Sequence, residues 1–188
     1  MEPVPGRTCG SCSMCCKIMA IDELEKPMGS WCSNCTPGSG CNIYESRPLS
    51  CRVFQCLWLV DPEIPDNLKP IRSKVIFDQD TDGTRLIVRC DPATPTAWRK
   101  PEVYGQIKRG AMQGWRHGMM VVVTINRQLW LITPKEDIDL GFVDPRSPFA
   151  VKEHRDGSVA VQILPRLDDD EEFDAATSAA RLGWRAPS

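Results

Sequence analysis

The chain has 188 residues, of which 41% are hydrophobic and 26% are charged, and its formal net charge is -2. This length fits one domain or two small ones, and the composition is ordinary for a globular protein. Because lysine and arginine are spread along a slightly acidic chain, the composition carries no electrostatic signature of a protein that binds nucleic acid or an anionic membrane.

Residues 1–60 form a cysteine-rich region. The sequence contains ten cysteines, and nine of them fall within the first 56 residues. Several are separated by only two residues, a spacing at which two thiolates can bind one ion or cluster without straining the turn between them. The spacing therefore predicts metal binding by nine thiols: Cys9, Cys12, Cys15, Cys16, Cys32, Cys35, Cys41, Cys51 and Cys56.

The state of these thiols depends on the cellular compartment. The first seven residues lack the apolar core of a signal peptide, and no apolar run is long enough to cross a bilayer. We therefore expect a cytoplasmic protein without a membrane partner, in which a reducing environment keeps the thiols available to metal. The adjacent Cys15 and Cys16 cannot easily bridge each other, which argues weakly against a complete set of disulfides.

The remaining residues, 61–188, have the pattern of a small α+β region. Residues 61–70 contain three prolines and indicate a connector. Strand-like segments over 73–78 and 84–90 flank a turn signal, so the two are predicted to form a hairpin.

Two helices and four more strands are predicted beyond this hairpin. In order, they are a helix over 101–117, strands over 119–126 and 128–133, a hairpin over 149–154 and 158–164, and a terminal helix that opens at the acidic run 168–172 and ends near Gly183. The expected fold class is α+β, with a loop-rich cysteine metal-binding segment packed on a small mixed α/β layer of antiparallel hairpins.

Nine thiols exceed the needs of one four-cysteine site. The arrangements left open are two four-cysteine sites with a spare thiol, one iron–sulfur cluster plus one zinc, or a single site in which the remaining cysteines have a structural role. The opening CxxCxxC run echoes that of ferredoxins, whereas successive CxxC knuckles are typical of structural zinc. If the first run is helical, Cys9, Cys12 and Cys16 share one face. The spacing therefore leaves zinc and iron as alternatives.

The segment from residue 9 to residue 60 resembles the YkgJ-like CxxCxxCC cysteine-cluster family, whose members are described as zinc- or iron-chelating. The resemblance is carried by three strings: Cys12-x-x-Cys15-Cys16, Cys41-Asn-Ile-Tyr44-Glu-Ser-Arg47-Pro48 and Cys51-Arg52-x-Phe54-x-Cys56. It implies metal binding by seven cysteines: Cys9, Cys12, Cys15, Cys16, Cys41, Cys51 and Cys56. Cys32 and Cys35 form an additional knuckle.

The pattern favours a metal-binding protein over an enzyme. No Ser-His-Asp arrangement or phosphate-binding glycine loop is present, and Asp137 and Asp139 have turn-like surroundings. An all-cysteine set argues against catalytic zinc, which keeps an open coordination position. The roles left open are a structural metal beside an unidentified protein partner or small-molecule pocket, a metal chaperone or buffer, and an iron–sulfur-dependent enzyme.

Three further residues carry predictions of their own. Arg47 and Arg52 flank Cys51 and are candidates to donate hydrogen bonds to thiolate sulfurs. Cys90, the only cysteine outside the N-terminal region, is predicted to be a buried apolar side chain in a strand.

Overall fold

A computed structural model describes residues 2–80, 82–144 and 147–164, and these residues have an α+β fold, as predicted. The chain divides into two compact units, Met1–Pro145 and Arg146–Ser188. The predicted boundary near residue 60 stays a prediction. Among the described residues, no helix combines the length and apolarity needed to cross a membrane.

The cysteine-rich part of the first unit is built from very short elements. They are α1 (Met14–Ile18), β1 (Cys35–Thr36), β2 (Gly40–Cys41), α2 (Leu49–Val53), α3 (Leu57–Val60) and α4 (Pro70–Ser73), with single 3-10 turns at Asp22–Leu24, Tyr44–Ser46 and Asp66–Leu68. Glycine, serine, asparagine and proline are dense between residues 28 and 40 and favour turns over long elements. Helices of five residues or fewer are not stable alone, so this segment depends on contacts made by its side chains.

A five-stranded sheet forms the rest of the first unit. Its strands are β3 (Val75–Gln79), β4 (Arg85–Cys90), β5 (Met120–Ile125), β6 (Gln128–Ile132) and β7 (Asp137–Phe142), arranged in that order. The predicted β3–β4 hairpin is confirmed, with Val75 opposite Cys90. A tight turn at Asn126-Arg127 joins β5 to β6, and Asn126 has the positive φ of 52° that asparagine tolerates in tight turns.

One helix covers one face of this sheet. Helix α5 (Pro101–Gly114) confirms the helical prediction, and Pro101 occupies its first turn, where proline is tolerated. Because α5 connects β4 to β5, those two strands pair in parallel, unlike the antiparallel hairpins expected from the sequence. Its apolar side packs on the sheet through Val103, Ile107 and Ala111, which are at most 1% exposed.

Strand β7 was missed by the sequence pattern because its acidic residues were interpreted as turn residues. Asp137 is held there by the Tyr104 hydroxyl and by ion pairs with Lys108 and Arg99. These partners come from elements remote in sequence, so no local pattern could indicate them.

The second unit contains the predicted C-terminal hairpin. It consists of β8 (Phe149–Glu153) paired antiparallel with β9 (Val159–Ile163). The predicted terminal helix that opens at 168–172 lies outside the described residues.

The cysteine-rich segment packs on both faces of β3, which is an edge strand of the sheet. Trp58 and Leu59 of α3 join the core on the side of Val75 and Phe77. Met14 and Ile18 of α1 pack with Ile76, whose side chain points to the opposite face. The segment therefore wraps around the β3 edge.

Candidate metal centre

Seven cysteines line one cavity of about 180 Å³ in the first unit. They are Cys9, Cys12, Cys15, Cys16, Cys41, Cys51 and Cys56. These are the same seven cysteines that the resemblance to the cysteine-cluster family implies. The fold thus brings together thiols that are up to 47 positions apart in the sequence, from Cys9 to Cys56.

Short helices supply four of these thiols. Cys15 and Cys16 lie on α1, which is anchored by its buried residues Met14 and Ile18. Cys51 lies in α2, and Cys56 is the residue immediately before α3. Because α1 and α3 pack through buried apolar residues, the backbone of Cys15, Cys16 and Cys56 is fixed by the core, whereas α2, which carries Cys51, has no buried residue.

Loops and a small hairpin supply the other three. The backbone N–H of Cys12 donates to the carbonyl of Cys9 at 2.8 Å, so this run is a turn and the helix begins only at Met14, later than a helical first run would require. Cys41 is in β2, beside Gly40. A side chain at Gly40 would lie 3.3 Å from the Gly10 carbonyl, and the φ of Gly40 is +114°. Glycine at this position allows the Cys9–Cys12 turn to approach the hairpin.

Cys32 and Cys35 do not line the cavity. Both are buried, at 7% and 9% exposure. The N–H of Cys32 donates to the Cys16 carbonyl at 3.0 Å, and Cys35 lies directly opposite Cys41 in the β1–β2 hairpin. The additional knuckle is therefore adjacent to the cavity thiols.

Cys90 does not line the cavity and has the environment predicted for it. It is 1% exposed within the core of the sheet, and its thiol donates to the Thr94 carbonyl at 3.3 Å. The sequence prediction of a buried apolar cysteine is confirmed.

The surroundings of five of the N-terminal thiols favour their protonated form. Burial is the main cause that raises the pKa of Cys9 and of Cys51, and it raises the pKa of Cys56 from 9.0 to about 11. The pKa of Cys16 is raised first by its hydrogen bond with the Cys15 side chain and then by burial. Burial is also the first cause that raises the pKa of Cys35 to about 12. Forming several thiolates here thus requires compensating positive charge.

Two basic residues close to the cysteines in sequence are engaged elsewhere. Arg7 donates to the backbone carbonyls of Trp58 and Ile64 and pairs with Asp66. Lys17 pairs with Asp91 at 2.7 Å and so ties α1 to the end of β4. Both cations serve the packing of the segment.

Lys26 is a buried cation beside the thiols. It is 6% exposed, and its ammonium group donates to the backbone carbonyls of Lys17, Met19 and Pro27. Burial lowers its pKa, while the thiols of Cys32, Cys16, Cys15 and Cys51 act in the opposite direction. The local sequence gave no sign that this lysine is buried.

The two arginines singled out by the sequence have different environments. Arg47 lines the cavity, stacks over the Tyr44 ring at 3.7 Å and acts electrostatically on Cys9. Arg52 is exposed at the end of α2 and does not line the cavity.

Two buried N–H donors at the cavity have no hydrogen-bond acceptor among the described residues. They are Nε of Arg47 and Nε1 of Trp58, and both residues line the cavity. A buried donor without an acceptor is costly, and such groups are uncommon in folded proteins. Sulfur atoms carrying negative charge are acceptors that would suit both donors.

The residue types around the cavity are those that bind a metal through thiolates, but their sulfurs are not arranged as a coordination shell. Cysteine thiolates are the preferred ligands of zinc and of iron–sulfur clusters. In residues 2–80, 82–144 and 147–164, no group of three or more histidine, cysteine, aspartate or glutamate side chains is arranged to hold a metal ion. The site is therefore a cavity lined by thiols, whose sulfurs can be redirected by rotation about the single Cα–Cβ torsion.

No protein-family model, curated protein or solved structure matches the chain. Membership of the cysteine-cluster family accordingly stays a prediction from the three sequence strings.

Proposed function

We propose that the N-terminal region binds zinc or an iron–sulfur cluster through its cysteine thiolates. The observation that carries this proposal is the convergence of seven thiols on one cavity whose wall also contains two buried donors without acceptors. An apolar core would not place polar sulfurs and unpaired N–H groups around one space.

Electrostatics supports the same function. Burial raises the pKa of several of these thiols, so isolated thiolates are disfavoured in the cavity. A bound metal cation supplies the positive charge that makes deprotonation favourable, and its binding releases protons. Arg47 and Lys26 supply additional, permanent positive charge near the thiols.

The proposed role of the metal is to hold this segment in its fold. The segment contains only short helices and a hairpin of two-residue strands, so a shared metal would connect elements that have few apolar contacts of their own. The resemblance to a family of metal-chelating proteins supports the same function.

Analysis of anaerobically purified full-length protein tests the proposal. We expect stoichiometric zinc or iron by elemental analysis, and visible absorption only if the metal is an iron–sulfur cluster. Cys12→Ser should lower the metal content, because serine provides no thiolate. Cys90→Ser is the matched control, since Cys90 does not line the cavity, and it should retain the metal of the wild type. Wild-type protein that contains no metal and takes up none from added Zn²⁺ would refute the function.

A further inference from the structure

Resting on the proposed function, we infer that the nine N-terminal cysteines form two adjoining metal centres, each bound by thiolates. The first centre is formed by Cys9, Cys12, Cys15 and Cys56. The second is drawn from Cys16, Cys32, Cys35, Cys41 and Cys51. Each would take a metal that prefers thiolate, either zinc or the iron of an iron–sulfur cluster.

Packing defines the first group. Cys12, Cys15 and Cys56 contact the same small apolar cluster, which is centred on Met14, Ile18 and Ile76. Cys56 also contacts the main core, as does Cys9. The backbone turn from Cys9 to Cys12 completes the group, since the Cys12 N–H donates to the Cys9 carbonyl at 2.8 Å.

Backbone connections define the second group. The Cys32 N–H donates to the Cys16 carbonyl at 3.0 Å, and the Cys35 N–H donates to the Cys32 carbonyl at 3.1 Å. Cys35 faces Cys41 across the β1–β2 hairpin, and directly opposed residues in antiparallel strands have neighbouring side chains. The thiols of Cys16 and Cys35 are also hydrogen-bonded to each other.

The vicinal pair on α1 separates the two groups. Successive residues on an α-helix point about 100° apart, so the side chains of Cys15 and Cys16 leave α1 in different directions, and the hydrogen bond between their thiols marks where the two groups touch. Cys15 contacts the apolar cluster of the first group, whereas Cys16 is joined to Cys32 and Cys35 of the second. The centres therefore adjoin at α1.

Positive charge lies near both groups. Lys26 is buried, and its ammonium group donates to three backbone carbonyls. The cysteines that act on it electrostatically are Cys32, Cys16, Cys15 and Cys51. Arg47 and Lys69 act on Cys9 of the first group instead. Lys26 therefore acts on three cysteines of the second group and on Cys15 of the first, which agrees with two centres that adjoin at α1.

Titration of the full chain with Zn²⁺ under anaerobic, reducing conditions tests this division. Native mass spectrometry should record two zinc equivalents for the wild type. Cys56→Ser and Cys35→Ser should each retain one equivalent, the double variant should retain none, and the control Cys90→Ser should retain two. A wild type that binds one equivalent, lost in both single variants, would overturn the two-centre inference and leave the proposed function intact. A wild type that binds none would overturn both.

A second measurement on the wild type does not depend on whether the variants fold. Partially zinc-loaded protein is alkylated with N-ethylmaleimide, and the protected thiols are counted by intact mass. Since structural zinc takes four ligands, protection should occur in blocks of about four and then about eight thiols. A single block of about four at saturating zinc would contradict the inference.

Discussion

The cysteine segment and the five-stranded sheet differ in the source of their stability. In the sheet, Phe77, Val88, Val103 and Val121 are all fully buried, and they belong to one continuous apolar core. The cysteine segment contributes Trp58 and Leu59 to this core, while on the other face of β3 it has a small cluster around Met14 and Ile18, beside the cavity lined by thiols. The comparison teaches that apolar burial can hold the sheet by itself, whereas under the proposed function a metal bound by the sulfurs would hold the segment.

Metal removal should produce the largest difference in stability between the cysteine segment and the sheet. An anaerobic zinc and iron chelator should open the cysteine segment while the sheet keeps its fold, because only the segment would lose a binding free energy of about 10 kcal/mol or more per structural metal. Limited trypsin digestion measures this. Cleavage after Lys17, whose side chain is 14% exposed and pairs with Asp91, should accelerate by orders of magnitude, while Arg89, which is ion-paired in β4, stays protected.

The internal comparison of the two cleavage sites is the control, since both are measured in the same digest. An unchanged rate at Lys17 after complete metal removal would mean that packing alone holds the segment.

A substitution in the core of the sheet should have the next largest effect. Phe77→Ala removes a fully buried ring and should destabilise the chain by about 3–5 kcal/mol, through lost burial and a residual cavity. Leu49→Ala is the matched control in the cysteine segment, because Leu49 is 62% exposed, and its effect should be within about 0.5 kcal/mol. Urea unfolding of both variants measures the difference. Similar losses for the two would contradict the assigned core.

Alkaline pH should weaken the sheet through Cys90. Burial raises the pKa of this thiol from its ordinary value of 9.0 to about 11. Because the folded pKa lies above the unfolded one, the stabilisation is fully present below pH 9 and is lost as the pH rises through about 11. The melting temperature of the reduced, metal-free chain should therefore fall over this range.

Cys90→Ala removes the titrating group and is the control for this effect. Its melting temperature should fall less between pH 9 and pH 11 than that of the wild type. If the melting temperatures of the two proteins fall in parallel, the loss of stability at alkaline pH comes from groups other than Cys90.

The smallest expected effect distinguishes the two arginines near Cys51. Arg47→Gln should speed metal release to a competing chelator by roughly 10-fold, because Arg47 lines the cavity and a group that supports metal ligands typically contributes this much. Arg52→Gln is its matched control and should release metal at the wild-type rate, since Arg52 is exposed and outside the cavity. Equal rates of metal release from both variants would show that Arg47 does not support the metal ligands.

Local signals allowed much of the sheet to be predicted. The β3–β4 hairpin follows from two apolar runs around a turn signal, and α5 follows from apolar residues at helical spacing after Pro101. The thiols converging on the cavity could be predicted as a group because the chain has almost no cysteine elsewhere.

Contacts between distant residues could not be predicted in the same way. Strand β7 has its Asp137 satisfied by Tyr104 and Lys108, which belong to α5. Lysine is usually a surface residue, yet Lys26 is buried, and its ammonium group donates to the backbone carbonyls of Lys17 and Pro27. The difference between Arg47 and Arg52 depends on which side of a short turn faces the cavity. None of these features leaves a periodic signal in the sequence.

The position of the cysteine segment around β3 has a consequence for the solubility of the chain. An edge strand offers unpaired N–H and C=O groups to any other strand, and native proteins commonly cover such edges. Here the cover consists of α1, α3 and α4, which contact β3 directly. When the segment opens, Val75, Ile76 and Phe77 would be exposed on a strand able to pair with another copy of the chain. Occupancy of the thiols would then protect the protein from aggregation through its sheet edge.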